Sequence, residues 1–204
     1  STLQRVDETL NEVQALILAP TRELAIQTHK VVSNIGSFMD NLKCSLFIGG
    51  RSMEQDMTDL EKKPQIVVGT PGRTVDLIKR GRLKLENVQW LILDEADEML
   101  SMGFKKELDQ ILEYVAGAES KWLFSATMPL DILQLSHKIV GGNPEKVTIQ
   151  PEQTTAEKVE QSVYFVSKRN KSKLLTHLLK IEEYESCLVF SRTKHGADKI
   201  VKFL

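Results

Sequence analysis

Disulfides, long apolar runs, an excess of one charge and any glycine followed by lysine are all lacking in this 204-residue chain. The two cysteines, Cys44 and Cys187, lie far apart without metal-ligand spacing. Both adjoin apolar runs and read as reduced, buried thiols, which suits an intracellular protein, cytoplasmic in the first place and nuclear in the second. No apolar run approaches the length of a membrane span, and the N-terminus has no signal-peptide pattern, so no membrane partner is expected. Lys and Arg number 27 against 28 Asp and Glu, a formal net charge of −1. No global positive field therefore advertises a nucleic-acid partner, and any such partner must be held by local contacts. The four histidines (His29, His137, His177, His195) form no local cluster and read as surface or packing residues. Without a Gly-Lys pair, a phosphate-cradling G-x-x-x-x-G-K-[ST] loop is excluded.

What the chain does have is one repeated theme: a short apolar run, a polar or glycine-containing loop, then a helical pattern. "QALILAP" predicts a buried strand over Ala15–Ala19, and the next segment a helix with Leu24, Thr28, Val31, Ile35 and Phe38 or Met39 on its inner face. "CSLFIGG", "QIVVGTPGR", "WLILDEAD", "KWLFSAT" and "KVTI" read as further strands. Met53, Met57 and Leu60 mark a short helix, and Phe104, Leu108, Ile111, Leu112 and Val115 an amphipathic one. Thr70 is placed to cap a helix that Pro71 opens, and Pro129 opens another through Ile139. Strands alternating with helices argue for an α/β fold, a parallel sheet with helices on both faces. Nearly all-apolar strands fit a sheet covered on both sides.

From Gln150 to Glu160 the sequence turns polar and reads as a linker. Beyond it the theme restarts: strand "SVYFVS", helix "KSKLLTHLLK", strand and loop "SCLVFSRTKHG", and a last helix that carries Ala197, Ile200, Val201 and Leu204. "LILAPTREL" and "LVFSRTKHG" look alike, so the second part reads as the truncated beginning of a second copy of the first fold.

Ligands of open parallel sheets bind at the carboxyl ends of strands. Five polar or glycine segments fall there: Pro20-Thr21-Arg22-Glu23, Gly49-Gly50, Thr70-Pro71-Gly72-Arg73, Asp94-Glu95-Ala96-Asp97 and Ser125-Ala126-Thr127. Asp94, directly after a buried strand, stands where a carboxylate holds magnesium, often through water. Glu95 points elsewhere and is suited to orient or deprotonate an attacking water. A capped, solvated loop is the alternative for that pair alone. Arg22 and Arg73 open helices, whose N-termini attract phosphates, and Gly49, Gly50 and Gly72 let a backbone approach a ligand closely. For each of these taken alone, an ion pair or a plain turn is the competing reading. The basic runs "KRGRLK" and "KRNKSK" read as solvated loops.

"APTRELA", "GG", "TPGR", "DEAD", "SAT" and, further on, "LVFSRTK" occur in the order and spacing of the DEAD-box family of ATP-dependent RNA helicases, which the chain resembles from Leu10 to Leu204. "LQRVD" and "DEADEML" look like that family's translation-initiation and exon-junction members. The resemblance implies a first RecA-like domain over residues 1–150, a linker over 151–160 and the start of a second RecA-like domain over 161–204. It implies ATP and Mg2+ as cofactors, RNA as partner, and protein regulators as further possible partners. By the same likeness, Asp94 and Glu95 serve magnesium and water activation. Asp97, Ser125 and Thr127 couple nucleotide state to RNA. Pro20, Thr21, Arg22, Gly49, Gly50, Thr70, Pro71, Gly72 and Arg73, with Ser191, Arg192 and Thr193, lie along the RNA backbone. "STLQRVDETLNEVQ" resembles the helix that comes after the family's phosphate-binding loop, which the chain lacks, as it lacks the fifth and sixth motifs. The simplest expectation is a fragment of a longer helicase, inactive by itself. The alternative is a catalytically inactive RNA- or partner-binding fragment.

Overall fold

A computed structural model describes residues 2–141, 145–149, 160–181 and 185–204. Two compact units divide at Val147. In the first, five parallel strands pair side by side: β1 (Ala15–Leu18), β2 (Cys44–Phe47), β3 (Ile66–Gly69), β4 (Trp90–Leu93) and β5 (Ser120–Leu123). Their order is β2-β3-β1-β4-β5, with Leu18 opposite both Gly69 and Leu93. The helices between them are α1 (Arg22–Gly36), α2 (Met53–Glu61), α3 (Pro71–Lys79), α4 (Ala96–Ser101), α5 (Lys105–Tyr114) and α6 (Leu130–Val140).

Alternate residues of a strand point to opposite faces. Leu16, Leu18, Val67, Leu91 and Leu93 therefore enter one core, with Leu77, Leu108, Ile111 and Ile132 from the helices above. Ala15, Ile17, Ile66, Val68 and Trp90 enter the other, against Ala25 of α1. Each fully buried Leu or Ile side chain contributes about 1.5–3 kcal/mol of transfer free energy. β1, β3 and most of β4 are buried on both faces, as their apolar runs predict. β5, at the sheet edge, is not: Trp122 is 48% exposed and lies beside Phe124, ring centroids 6.2 Å apart.

Local structure departs from the sequence pattern in several places. The inner face of α1 carries Ala25 and Gly36, with Leu24 and Val32 packed beside them, whereas Val31, Ile35 and Phe38 are exposed. Small residues win this face because the helix lies close: a methyl group on Gly36 would meet Leu42 Cδ2 at 2.5 Å. The N-terminal segment forms only a 3-10 turn, Thr2–Gln4. Two buried glutamines pin the loop after that turn. Gln14 Nε2 donates to Asp7 O (2.7 Å), and Gln65 Nε2 donates to Leu10 O (2.8 Å) and Glu8 O (3.2 Å). Lys146–Ile149 forms no strand, and Val147 and Ile149 lie exposed without a paired edge. Cys187 is exposed, not buried, while Cys44 is half-buried in β2 and burial pushes its thiol up to about 12.

In the second unit the two expected helices form, α7 (Lys171–Ile181) and α8 (Lys194–Phe203). The runs 162–167 and 187–190 are without strand structure, with Phe165 and Phe190 exposed. A strand exists only through a partner, and two parallel strands alone are marginal in water. The expected linker, apart from Glu160, lies outside the described residues.

Candidate nucleic-acid interface and carboxylate site

The parallel sheet sends every strand's carboxyl end to one edge. At the β1, β2 and β3 ends, Pro20, Thr21, Arg22, Gly49, Thr70, Gly72 and Arg73 line one cleft of about 620 Å³. Glu23, Asp76, Met102 and Phe104 complete it. Seven residues that the sequence spreads over 54 positions are thus brought together. Gly50 adjoins the cleft, and Pro71 is buried as the first residue of α3.

The two arginines differ. Arg22 makes no hydrogen bond or ion pair among the described residues, and its guanidinium lies over Gly49 and Gly50. A methyl group on Gly49 would stand 3.3 Å from its Nη2, and one on Gly50 2.7 Å from its Nη1. The paired glycines make room for this side chain, and Gly50 also needs its φ of +89°. Arg73 is partly committed instead. Its Nε donates to Asp56 Oδ2 at 2.6 Å and its Nη2 to Arg51 O at 3.1 Å, while Nη1 stands 3.6 Å from Asp76 Oδ2. Asp56 is fully buried, and its Oδ1 has no hydrogen-bond partner; Arg51 Nε is 3.8 Å away. Arg51 in turn donates to Leu46 O and pairs with Asp59 at 2.7 Å.

Helix N-termini face the same cleft. Thr21 caps α1, accepting from Leu24 N at 3.2 Å. Thr70, expected as a cap, makes no cap bond; Thr74 Oγ1 donates to Thr70 O (3.0 Å). The N–H groups of Gly72 and Arg73 therefore remain without an intrahelical partner, and a methyl group on Gly72 would meet nothing within 4 Å. Free amides at a positive helix end suit an anion.

At the β4 and β5 ends lie the carboxylates. Asp94 is half-buried; its N–H donates to Leu18 O at 2.9 Å, and its carboxylate makes no hydrogen bond or ion pair among the described residues. Glu95 is exposed in the left-handed region (φ 52°, ψ 54°), costly for a side chain with a Cβ. Directly after that turn Ala96 N donates to Phe124 O (2.9 Å), stitching the loop to the end of β5. Asp97 Oδ2 accepts from both the hydroxyl (2.6 Å) and the N–H (2.9 Å) of Thr127, and Ser125 Oγ donates to Thr127 O at 2.6 Å. The Thr127 hydroxyl bond, against a small burial penalty and with help from the Thr127 N–H, Ser125 and the Glu98 N–H, holds the Asp97 carboxyl below its usual range. Asp97, Ser125 and Thr127 thus form one hydrogen-bonded network.

Ser191, Arg192 and Thr193 belong to the second unit. There Thr193 caps α8, accepting from Gly196 N at 3.0 Å, and Ser191 packs on Gly196.

Arg51, Asp56 and Asp59 are the residues that sequence reasoning missed. One signal was present: Ser52-x-x-Gln55 is a capping box, with Gln55 N on Ser52 Oγ (3.2 Å) and Ser52 N on Gln55 Oε1 (3.3 Å). It fixes where α2 begins and so which side Asp56 faces.

A family model described as DEAD/DEAH box helicase matches residues 1–135, two thirds of the chain. The chain belongs to that family. RNA helicase CrhR of Synechocystis is 43% identical over 196 residues, covering 96% of this chain and 39% of its own length. The DEAD-box ATP-dependent RNA helicase CshA of Geobacillus kaustophilus is 39% identical over 202 residues, 99% of this chain and 43% of its own. The ATP-dependent RNA helicase eIF4A of Chaetomium globosum is 40% identical over 199 residues, 97% and 50%. The crystal structure of a DEAD box protein from Methanococcus jannaschii superposes with a TM-score of 0.64 at 39% identity, covering 98% of this chain and 53% of that one. This DEAD-box chain therefore spans half or less of the length of these curated relatives. Among its described residues no helix is long and apolar enough to cross a membrane.

Proposed function

We propose that this chain is the RNA-contacting and magnesium-side part of an ATP-dependent RNA helicase: most of a first RecA-like domain, followed by the beginning of a second. The observation that carries the reading is the single cleft built from three strand ends, with an unpaired Arg22, a partly committed Arg73 at its rim and free N–H groups at α3. Such a cleft contacts phosphates through its arginines and helix N–H groups, so binding is indifferent to sequence. Local charge placement explains how a chain of net charge −1 holds a polyanion.

Asp94 fits a magnesium ion of the kind that binds through one carboxylate, water and substrate phosphates. Its carboxylate is free, half-buried and at a strand end, and the described residues offer no group of three ligands that would form an all-protein cage. With nucleotide bound, that ion would neutralise phosphate charge. The triphosphate itself does not find its cradle here, because no glycine precedes a lysine. What the chain's own residues do is narrower. Asp94 offers the carboxylate, the exposed Glu95 is suited to hold a water, and Asp97 ties this loop to Thr127. A change in the position of Asp94 is thereby passed to the loop after β5 through two hydrogen bonds.

Direct competition tests the reading. A fluorescein-labelled oligouridine bound to the chain is displaced by unlabelled RNA of any sequence, and less well by DNA, since recognition that includes the 2′-hydroxyl separates the two. Base-dependent displacement, or no binding at low salt, contradicts it. The absent lysine loop favours a second reading, a fragment that binds RNA without turning over ATP. Phosphate release with saturating RNA separates the two: turnover that Glu95→Gln abolishes excludes the second reading.

A further inference from the structure

We infer that Asp56 is a positioning residue for the nucleic-acid cleft: it fixes Arg73 so that one edge of the guanidinium faces a bound phosphate. This rests on the RNA reading above. Arg73 lines the cleft, yet its side chain is only 14% exposed. An arginine of that burial would lose its aim without an anchor, because its long side chain has many rotamers. Asp56 supplies the anchor from α2, 17 residues away, and is itself 0% exposed, so it cannot reach a ligand.

The donors divide cleanly. Nε–H points to Asp56 Oδ2 (2.6 Å) and one Nη2–H to Arg51 O (3.1 Å). Three N–H groups remain, two of them on Nη1, without a hydrogen bond among the described residues; Asp76 Oδ2 stands 3.6 Å from Nη1, beyond hydrogen-bond length, while Asp76 Oδ1 accepts from Arg80 Nε at 2.7 Å. A guanidinium held on one edge presents the other in fixed orientation, which is the condition for bidentate phosphate binding. Among the described residues Asp56 Oδ1 is buried without a hydrogen bond, with Arg51 Nε 3.8 Å away, so the one side-chain hydrogen bond of this carboxylate goes to Arg73. A cost of that kind at a binding edge points to function.

Simple electrostatics and positioning predict opposite signs. Asp56→Ala and Asp56→Asn both remove one negative charge beneath the cleft. If charge alone matters, both tighten RNA binding. If Asp56 positions Arg73, only the alanine weakens it, because the asparagine keeps an oxygen for Arg73 Nε–H. The test is affinity for a fluorescein-labelled oligouridine at several salt concentrations, on the full chain, with folding checked by amide NMR spectra. Positioning gives a loss of about tenfold for Asp56→Ala, the size of one charge-assisted hydrogen bond, with a salt slope shallower by about 0.7, and no loss for Asp56→Asn. Equal effects of the two variants overturn the inference. Where Asp56→Ala fails to fold, Arg73→Lys carries the same test: it keeps the charge and loses the fork, so wild-type affinity overturns the inference and a tenfold loss supports it. The Arg73 Nε proton gives an independent reading in the free chain; fast exchange with water overturns the inference whatever RNA does. A protected Nε proton in a chain that binds no RNA sinks the nucleic-acid reading and the inference with it, and the wild-type binding curve identifies that case.

Discussion

Arg73→Ala is the substitution whose effect the structure fixes most firmly. It removes the one side-chain hydrogen bond that Asp56 makes among the described residues, from a carboxylate with no exposed surface whose other oxygen already lacks a hydrogen bond. Arg51 Nε, at 3.8 Å, is too far to replace it. Breaking a buried pair by deleting one member costs about 3–5 kcal/mol, and the ion pair that Arg51 keeps with Asp56 at 3.8 Å holds this case to the lower end of that range. Against a total stability of roughly 5–15 kcal/mol for a domain, that is a large share. Arg22→Ala, which breaks no pair, falls within about 0.5 kcal/mol. Urea unfolding monitored by tryptophan fluorescence reads the sheet directly, since both tryptophans, Trp90 and Trp122, lie on its strands. The double substitution Arg73→Ala/Asp56→Ala removes the stranded charge and recovers most of the loss. A cost below about 1 kcal/mol for Arg73→Ala, or a double variant no more stable than the single one, refutes the reasoning.

Thr127→Ala deletes the hydroxyl bond that most depresses the Asp97 carboxyl, so the Asp97 titration moves up toward the ordinary carboxylate value; an unmoved carboxyl-carbon NMR midpoint contradicts this. Because the folded Asp97 value lies below the unfolded one, its contribution is present above the unfolded value near 3.8 and is lost as pH falls through the folded value, so the Asp97–Thr127 link loosens only in strong acid. With the Cys44 thiol pushed up to about 12 and Cys187 exposed, an aromatic disulfide reagent at pH 8 reacts fast with one thiol in the native chain and with two in denaturant; two fast native thiols contradict the burial. The 204-residue chain shows no RNA-stimulated phosphate release, and turnover abolished by Glu95→Gln contradicts that expectation.

The sheet was legible because β1, β3 and β4 are continuous apolar runs that lead into turn chemistry, and the polar segments at their ends were legible because that topology sends them to one edge. Less was legible where spacing competes with size. On α1 the pattern of larger residues, Val31, Ile35 and Phe38, pointed to one face, while Ala25 and Gly36 allowed the closer approach that decided another. Phe165 and Phe190 have strand-like neighbours in sequence but no ladder among the described residues, and pairing is not a local property. The Arg73–Asp56 pair was invisible because it joins residues 17 apart across two elements, although the capping box at Ser52 already fixed the register of α2.

Arg22, which has no ion pair among the described residues, is expected to hold an RNA phosphate without reading a base. Affinity for oligouridine and oligoadenosine measured across salt, for the wild type and Arg22→Ala, tests it most directly. The account predicts the same fractional loss on both RNAs and a log–log salt slope shallower by about 0.7, one released counterion of a single strand. An unchanged slope, or a loss confined to one of the two RNAs, contradicts it.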